Sequence, residues 1–250
     1  MKAALRLFGI FTALLLFSAC ASHPQTSEVL SASQLRDALA NDPGRDDADK
    51  VRDDGRRPAE VVTFLGIHSG MTVLDVFSGG GYYSEVLAHA VGPTGKVYAQ
   101  NPARFGARFE QAFKTKFSGR LPNVEYLVED LDGLSLPASS VDAAITALNF
   151  HDVYNRDPVA GFDFMKSVYN ILKPGGIFGV VDHAGDDGVD NSSLHRVSEK
   201  ATIETAKQAG FLLEATSDVL RHREDDHSQP TSGAERGYTD RFVLKLRKPG

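Results

Sequence analysis

The sequence predicts an α/β fold: a seven-stranded, mostly parallel sheet with an antiparallel edge strand and helices on both faces. Three observations carry that expectation. The apolar run Val73, Leu74, Val76 passes through the turn Gly79-Gly80-Gly81 into a helical pattern with Tyr83, Val86 and Leu87 on one face. Strand, tight turn, helix is how a parallel crossover begins. Apolar runs then recur at residues 96–100, 123–128, 141–148 and 177–181, alternating with helical patterns. Two last runs, 211–220 and 238–246, are joined by a polar loop with no helix between them. That predicts antiparallel pairing at one edge.

The elements follow in order. Residues 1–20 place Lys2 and Arg6 before the apolar run 7–17, then Ser18, Ala19 and Cys20. A basic start, an apolar core shorter than a membrane span and small residues at the end make an export signal. Small residues directly before a cysteine resemble a bacterial lipoprotein signal. Cys20 is then expected to be acylated, anchoring the chain in the cell envelope on the periplasmic side of the outer membrane; an unused signal would leave it cytoplasmic. Residues 21–55 predict a polar tether and one short helix, capped by Ser33 and burying Leu35 and Leu39 at i, i+4.

The mixed charges of residues 41–57 predict a solvated segment, with closure of Arg56 or Arg57 over a ligand crevice as the sharper alternative. Pro58 suits the first turn of a helix that Gly66 stops. The main domain is expected over residues 56–250. Its further helices are expected at 80–90, 103–117, 158–172 and 191–209. In the second of these, Phe105, Phe109 and Phe113 stand at the spacing of a core face.

Charge and cysteine usage exclude some classes. A formal net charge of -6 lacks the basic surface that phosphate neutralisation needs, so no nucleic-acid partner is expected. The single cysteine excludes an intrachain disulfide and a cysteine-based metal cluster. His151, His183 and His195 lie in separate segments with no ligand spacing between them, so no metal is expected.

The chemistry gathers at the carboxyl ends of the strands, where open α/β sheets bind ligands. Asp75 ends the first strand, and the three glycines let a ligand lie against bare backbone beside unpaired helix-start N–H groups. The fourth strand exits through Asn149-Phe150-His151-Asp152. There His151 could act as a base with Asp152 orienting it or holding substrate, or both could simply bond loop backbone.

At this point the chain resembles the class I S-adenosylmethionine-dependent methyltransferases. More narrowly, it is similar to a group of bacterial predicted methyltransferases with a triple-glycine first motif and an export signal. Four landmarks over residues 56–249 carry the resemblance: Asp75-Val76-Phe77-Ser78-Gly79-Gly80-Gly81, Glu129-Asp130-Leu131, Asp142-Ala143-Ala144-Ile145 leading to Asn149, and Leu172-Lys173-Pro174-Gly175-Gly176. The resemblance implies a Rossmann-like fold and S-adenosylmethionine as cofactor. It implies that Asp75, Phe77, Gly79, Gly80 and Gly81 surround the methionyl part, that Asp130 and Leu131 flank adenine, and that Asn149, His151 and Asp152 face the transferred methyl. Two positions depart from the pattern. Phe77 stands where the family's first glycine usually lies, and the second strand ends in Gln100 and Asn101 rather than a ribose-binding acid. Those amides offer only neutral hydrogen bonds to the ribose, weaker than charge-assisted ones.

The leading expectation is therefore methyl transfer to a small-molecule or envelope acceptor. A degenerate, non-catalytic envelope module competes with it, supported by the altered ribose position. A nicotinamide-dependent oxidoreductase also opens with strand, glycine turn and helix, but the contiguous glycines and Asp130-Leu131 fit it less well.

Overall fold

The computed structural model describes residues 29–232 and 236–250. The expected signal, Cys20 and the tether up to residue 28 lie outside the described residues.

Eight strands and eight α-helices are found among the described residues. The helices are α1 (Ala32–Asn41), α2 (Asp47–Arg56), α3 (Pro58–Leu65), α4 (Tyr82–Val91), α5 (Ala103–Phe117), α6 (Phe150–Arg156), α7 (Pro158–Ile171) and α8 (Glu199–Ala209). The strands are β1 (Thr72–Val76), β2 (Lys96–Asn101), β3 (Val124–Val128), β4 (Val141–Ala147), β5 (Leu172–Gly185), β6 (Val197–Ser198), β7 (Leu212–Ser217) and β8 (Arg241–Arg247). The main sheet runs β3-β2-β1-β4-β5-β8-β7, with β6 paired to the end of β5. Antiparallel pairing is confined to one side: β8 slots between β5 and β7 and opposes both. The α/β architecture is as the sequence predicts.

Alternation along each strand divides the core. Val73 faces α1, α3 and α4 with Val97, Ala143 and Ile145. Leu74 and Val76 face α6, α7 and α8 with Phe164, Met165 and Phe178. Asp75 shares the face of Val73, which places it under the start of α4.

Several sequence expectations are corrected. The helix over residues 32–41 is capped by Ser31, not Ser33: the Ser31 hydroxyl accepts from Gln34 N–H while the Gln34 side chain accepts from Ser31 N–H. No structural break occurs at residue 56, because Leu35 and Leu39 of α1 are fully buried in the core that α3 and α4 build. Residues 47–56 of the charged run form the helix α2; most of the run is solvated, as expected, but Arg45 and Asp49 are buried. Asp46 caps α2, and Asp47 and Asp49 sit favourably in its first turn. Arg45 is buried, bonding both carboxylate oxygens of Asp53 and, at 3.2 Å, Glu85 of α4. Arg120 joins Glu85 to Asp42, and Lys116 of α5 pairs with buried Asp49. Opposite charges 8 to 78 residues apart thus neutralise one another, a partnership that charge counting along the chain cannot see.

Two helix boundaries also move. Residues 150–156 form α6 directly from the β4 exit, and residues 191–198 are a short turn and β6 rather than helix. Ser198 then caps α8 by accepting from Ala201 N–H. Of the aromatics on α5, Phe113 packs in the core with Phe117 and Tyr126, whereas Phe105 is exposed. No helix among the described residues is long and apolar enough to cross a membrane.

Candidate functional site

The carboxyl ends of β1, β2 and β4 enclose a cavity of about 470 Å³. Phe77, Gly79, Asn101, Asn149 and Asp152 line it, together with Pro102, Arg104, Phe105, Phe109 and Arg156. Five residues singled out from the sequence therefore meet in one place. Asp75, Gly80, Gly81, Gln100, Asp130, Leu131 and His151 stand around or behind that lining.

The turn after β1 is built from unusual backbone. Phe77, Gly79 and Gly81 all have positive φ, at 56°, 55° and 82°. The φ at Phe77 explains why a glycine is the natural occupant, since a side chain in this region costs about 1 kcal/mol or more. The Phe77 ring is held edge-on against Phe164, with centroids 5.3 Å apart. A Cβ placed on Gly79 or Gly80 meets nothing within 4 Å, so this backbone is open to a ligand. A Cβ on Gly81 would lie 2.6 Å from the Phe117 ring, so that glycine serves packing.

Beneath the turn, Asp75 is buried and accepts a 2.6 Å hydrogen bond from the Ser84 hydroxyl of α4. Burial pushes its carboxyl up to about 7, with Ser84 and the positive charge of Arg56 pulling the other way. Such a carboxylate is short of positive charge. A ligand bringing an ammonium or sulfonium group next to the open glycine backbone supplies it, so these residues fit S-adenosylmethionine. Arg56 lies with its guanidinium 4.6 Å from the centre of the Tyr82 ring, on the same side of the crevice.

The ribose position behaves differently from expectation. Gln100 is fully buried: its Oε1 accepts from Phe77 N–H and its amide donates to the Glu129 carbonyl. Those bonds commit it to supporting the turn, so the expected role as a ribose contact is corrected. Asn101 lines the cavity, yet it too braces the turn, accepting from Gly79 N–H at 2.9 Å and donating to the Gly79 carbonyl at 2.9 Å. Asn149 donates to the Phe77 and Ala147 carbonyls, tying the β1 and β4 exits together. Asp130 accepts from Ala103 N–H at the start of α5, while Leu131 is half-buried against the core.

At the β4 exit the structure reassigns a partner. His151 is oriented by Asp182, not by Asp152: its Nδ1 lies 2.7 Å from Asp182 Oδ1, and its backbone N–H donates to Asp182 Oδ2 at 2.8 Å. Asp182 is fully buried near the end of β5 and also accepts from His183 N–H. Asp152, exposed at the cavity, stands 3.5 Å from His151 Nε2 and 3.0 Å from His195 Nδ1. His183 is buried, its Nδ1 2.8 Å from the Thr239 hydroxyl. Sequence reasoning missed Asp182 as the orienting group, although its place near the carboxyl end of an apolar strand was a usable signal.

Comparison with known proteins identifies the family and the fold. A family model described as a methyltransferase domain matches residues 67–227, more than half of the chain. The ubiquinone/menaquinone biosynthesis C-methyltransferase UbiE of Hydrogenovibrio crunogenus is 28% identical over 116 residues, 46% of this chain and 43% of that protein. The corresponding Escherichia coli K12 protein is 29% identical over 111 residues, 44% of this chain and 42% of that protein. The chain thus matches less than half the length of these relatives. Among solved structures, a SAM dependent methyltransferase from Aquifex aeolicus superposes with a TM-score of 0.59 at 22% identity, covering 87% of this chain and 98% of that one. A SAM-dependent O-methyltransferase from Thermotoga maritima gives a TM-score of 0.54 at 18% identity, covering 78% and 65%. At such identities the likeness is one of fold. The chain belongs to the methyltransferase-domain family, whose cofactor is S-adenosylmethionine.

Proposed function

We propose that this chain moves the methyl group of S-adenosylmethionine to a small-molecule acceptor that gives up a proton in the transfer. The observation that carries this reading is the His151–Asp182 pair at the β4 exit, two residues on from Asn149, whose amide donates to the Phe77 carbonyl of the turn. When bound, the cofactor supplies an electrophilic methyl on a positively charged sulfur. Such displacement needs alignment above all, and a base where the nucleophile carries a proton.

With Nδ1–H directed at Asp182, the neutral His151 ring carries its lone pair on Nε2, and Asp182 stabilises the imidazolium once formed. The acceptor's oxygen or carbon forms the new bond to methyl, the carbon–sulfur electron pair leaves with sulfur, and the proton goes to His151 Nε2. Asp75, Gly79 and Gly80 hold the donor; Asn149 and Gln100 keep the turn in shape. The names of the quinone-pathway relatives support acceptors of phenol or enol type, whose protons are acidic enough for an imidazole.

The test is transfer of labelled methyl from S-adenosylmethionine to a panel of phenols and enols. The reading expects labelled product and S-adenosylhomocysteine with at least one acceptor. Cofactor binding with no transfer to any member of the panel would count against it.

We further propose that residues 1–20 direct export and that Cys20 is acylated, placing the enzyme and its acceptor in the envelope. The basic–apolar–small pattern supports this. Palmitate labelling in a Gram-negative host is expected for the natural sequence and absent in Cys20→Ala. Equal labelling of both, or of neither, would oppose it.

A further inference from the structure

We propose that His151, Asp152 and His195 form a binding site for one divalent transition-metal ion at the mouth of the cavity. Two segments that the sequence keeps apart supply the ligands. His151 and Asp152 sit in the first turn of α6, and His195 follows the short turn at residues 192–194. One donor atom from each residue lies within 4.8 Å of the other two.

Two of the three pairwise spacings match those of ligands on one centre. Ligands about 2.1 Å from a metal stand about 3.0 Å apart at a right angle and about 3.4 Å apart at the tetrahedral angle. Asp152 Oδ1 is 3.0 Å from His195 Nδ1 and 3.5 Å from His151 Nε2. The two rings stand at 88° with centroids 5.7 Å apart, so both can direct a nitrogen towards the carboxylate without stacking.

The surroundings hold the ligands in place. A metal-binding histidine characteristically gives its other ring N–H to a carboxylate, which fixes the tautomer and makes the ligand more basic. His151 has that carboxylate in buried Asp182, at 2.7 Å. His195 is fixed through its backbone: it adopts a left-handed φ of 52°, Thr231 N–H donates to the Leu194 carbonyl, and the Asn155 amide donates to the Arg196 carbonyl. A non-glycine residue held in that conformation costs about 1 kcal/mol or more, and here it aims an imidazole at Asp152. Two imidazoles and one carboxylate suit zinc, cobalt or iron and disfavour magnesium, which prefers oxygen ligands. Of the three, Asp152 also lines the cavity.

A bound ion would occupy the lone pair by which His151 accepts a proton. The metal-loaded and proton-accepting forms therefore exclude each other in any one molecule. The site itself does not depend on the proton-acceptor role.

The test is competition for Zn²⁺ between the metal-free full chain and a chromophoric chelator, with Co²⁺ absorption reporting ligand geometry. One equivalent should bind with a Kd in the micromolar range or below, and Mg²⁺ should not compete. His195→Ala and Asp152→Ala should each weaken binding at least tenfold. Asp182→Asn should weaken it about 10- to 100-fold, and His68→Ala, in the connection between α3 and β1, should leave it unchanged. S-adenosylmethionine titration of the same variants reports that they remain folded. Absence of Zn²⁺ binding, or binding indifferent to both His195→Ala and Asp152→Ala, overturns the site. With an acceptor in hand, Zn²⁺ inhibition at the same midpoint supports both the site and the base. Stimulation at that midpoint supports the site and overturns the base.

Discussion

Asp75→Ala is expected to weaken S-adenosylmethionine binding by about 100-fold, which corresponds to about 2.7 kcal/mol, while leaving the domain folded. The carboxylate is buried beneath the glycine turn, with Ser84 as its hydrogen-bond donor and its pKa raised to about 7 by burial. Removing it takes away the buried carboxylate that ends β1 beneath the glycine turn. The same group gives the binding a pH signature. Only the ionised carboxylate pairs with a cationic ligand, so affinity should fall about tenfold per unit as pH drops below about 7 and level off above it. The sign for stability is opposite. The folded carboxyl holds a proton that the unfolded chain releases near its ordinary value of about 4. Its contribution to stability is therefore full below that value and is lost as pH rises through about 7. Cofactor should restore part of that loss. Affinity independent of pH from 5.5 to 8.5 would remove Asp75 from the binding site.

The second large effect is expected on turnover. His151→Ala should lower kcat by about 10²- to 10⁴-fold, the usual range for loss of a positioned base, with S-adenosylmethionine affinity within about twofold of the parent. Asp182→Asn should lower kcat by about 100-fold, because the amide no longer stabilises the imidazolium or fixes the tautomer. Asp182 is fully buried and also accepts from two backbone N–H groups. Thermal unfolding of the variant separates lost positioning from lost structure. Full turnover in His151→Ala, measured with an acceptor from the panel, would leave the pair a structural one.

Much of the fold was legible because it is written in local patterns. The apolar runs of β1, β2, β3 and β4 are interrupted by turn residues and alternate with helical stripes, and each emerges close to its expected place. What escaped depends on partners distant in the chain. The helix α2 is hidden in a run of charges whose neutralisation comes from Glu85, Lys116 and Arg120. At the site, five of the residues singled out near the strand ends share one cavity. Their side-chain bonds were not legible. Gln100 and Asn101, the natural candidates for the ribose, both brace the glycine turn, and only Asn101 also lines the cavity. The orienting role expected of adjacent Asp152 belongs to Asp182, thirty-one positions on from His151 and on the next strand of the sheet. Only the crossing from β4 to β5 brings those two together.

The most direct test of the account is isothermal titration of the chain with S-adenosylmethionine, alongside Asp75→Ala at matched pH and folding. One molecule bound per chain with micromolar affinity, and a loss of about 100-fold in the variant, is the predicted result. A correctly folded chain that takes up no S-adenosylmethionine, or a variant that binds it as tightly as the parent, would contradict the account.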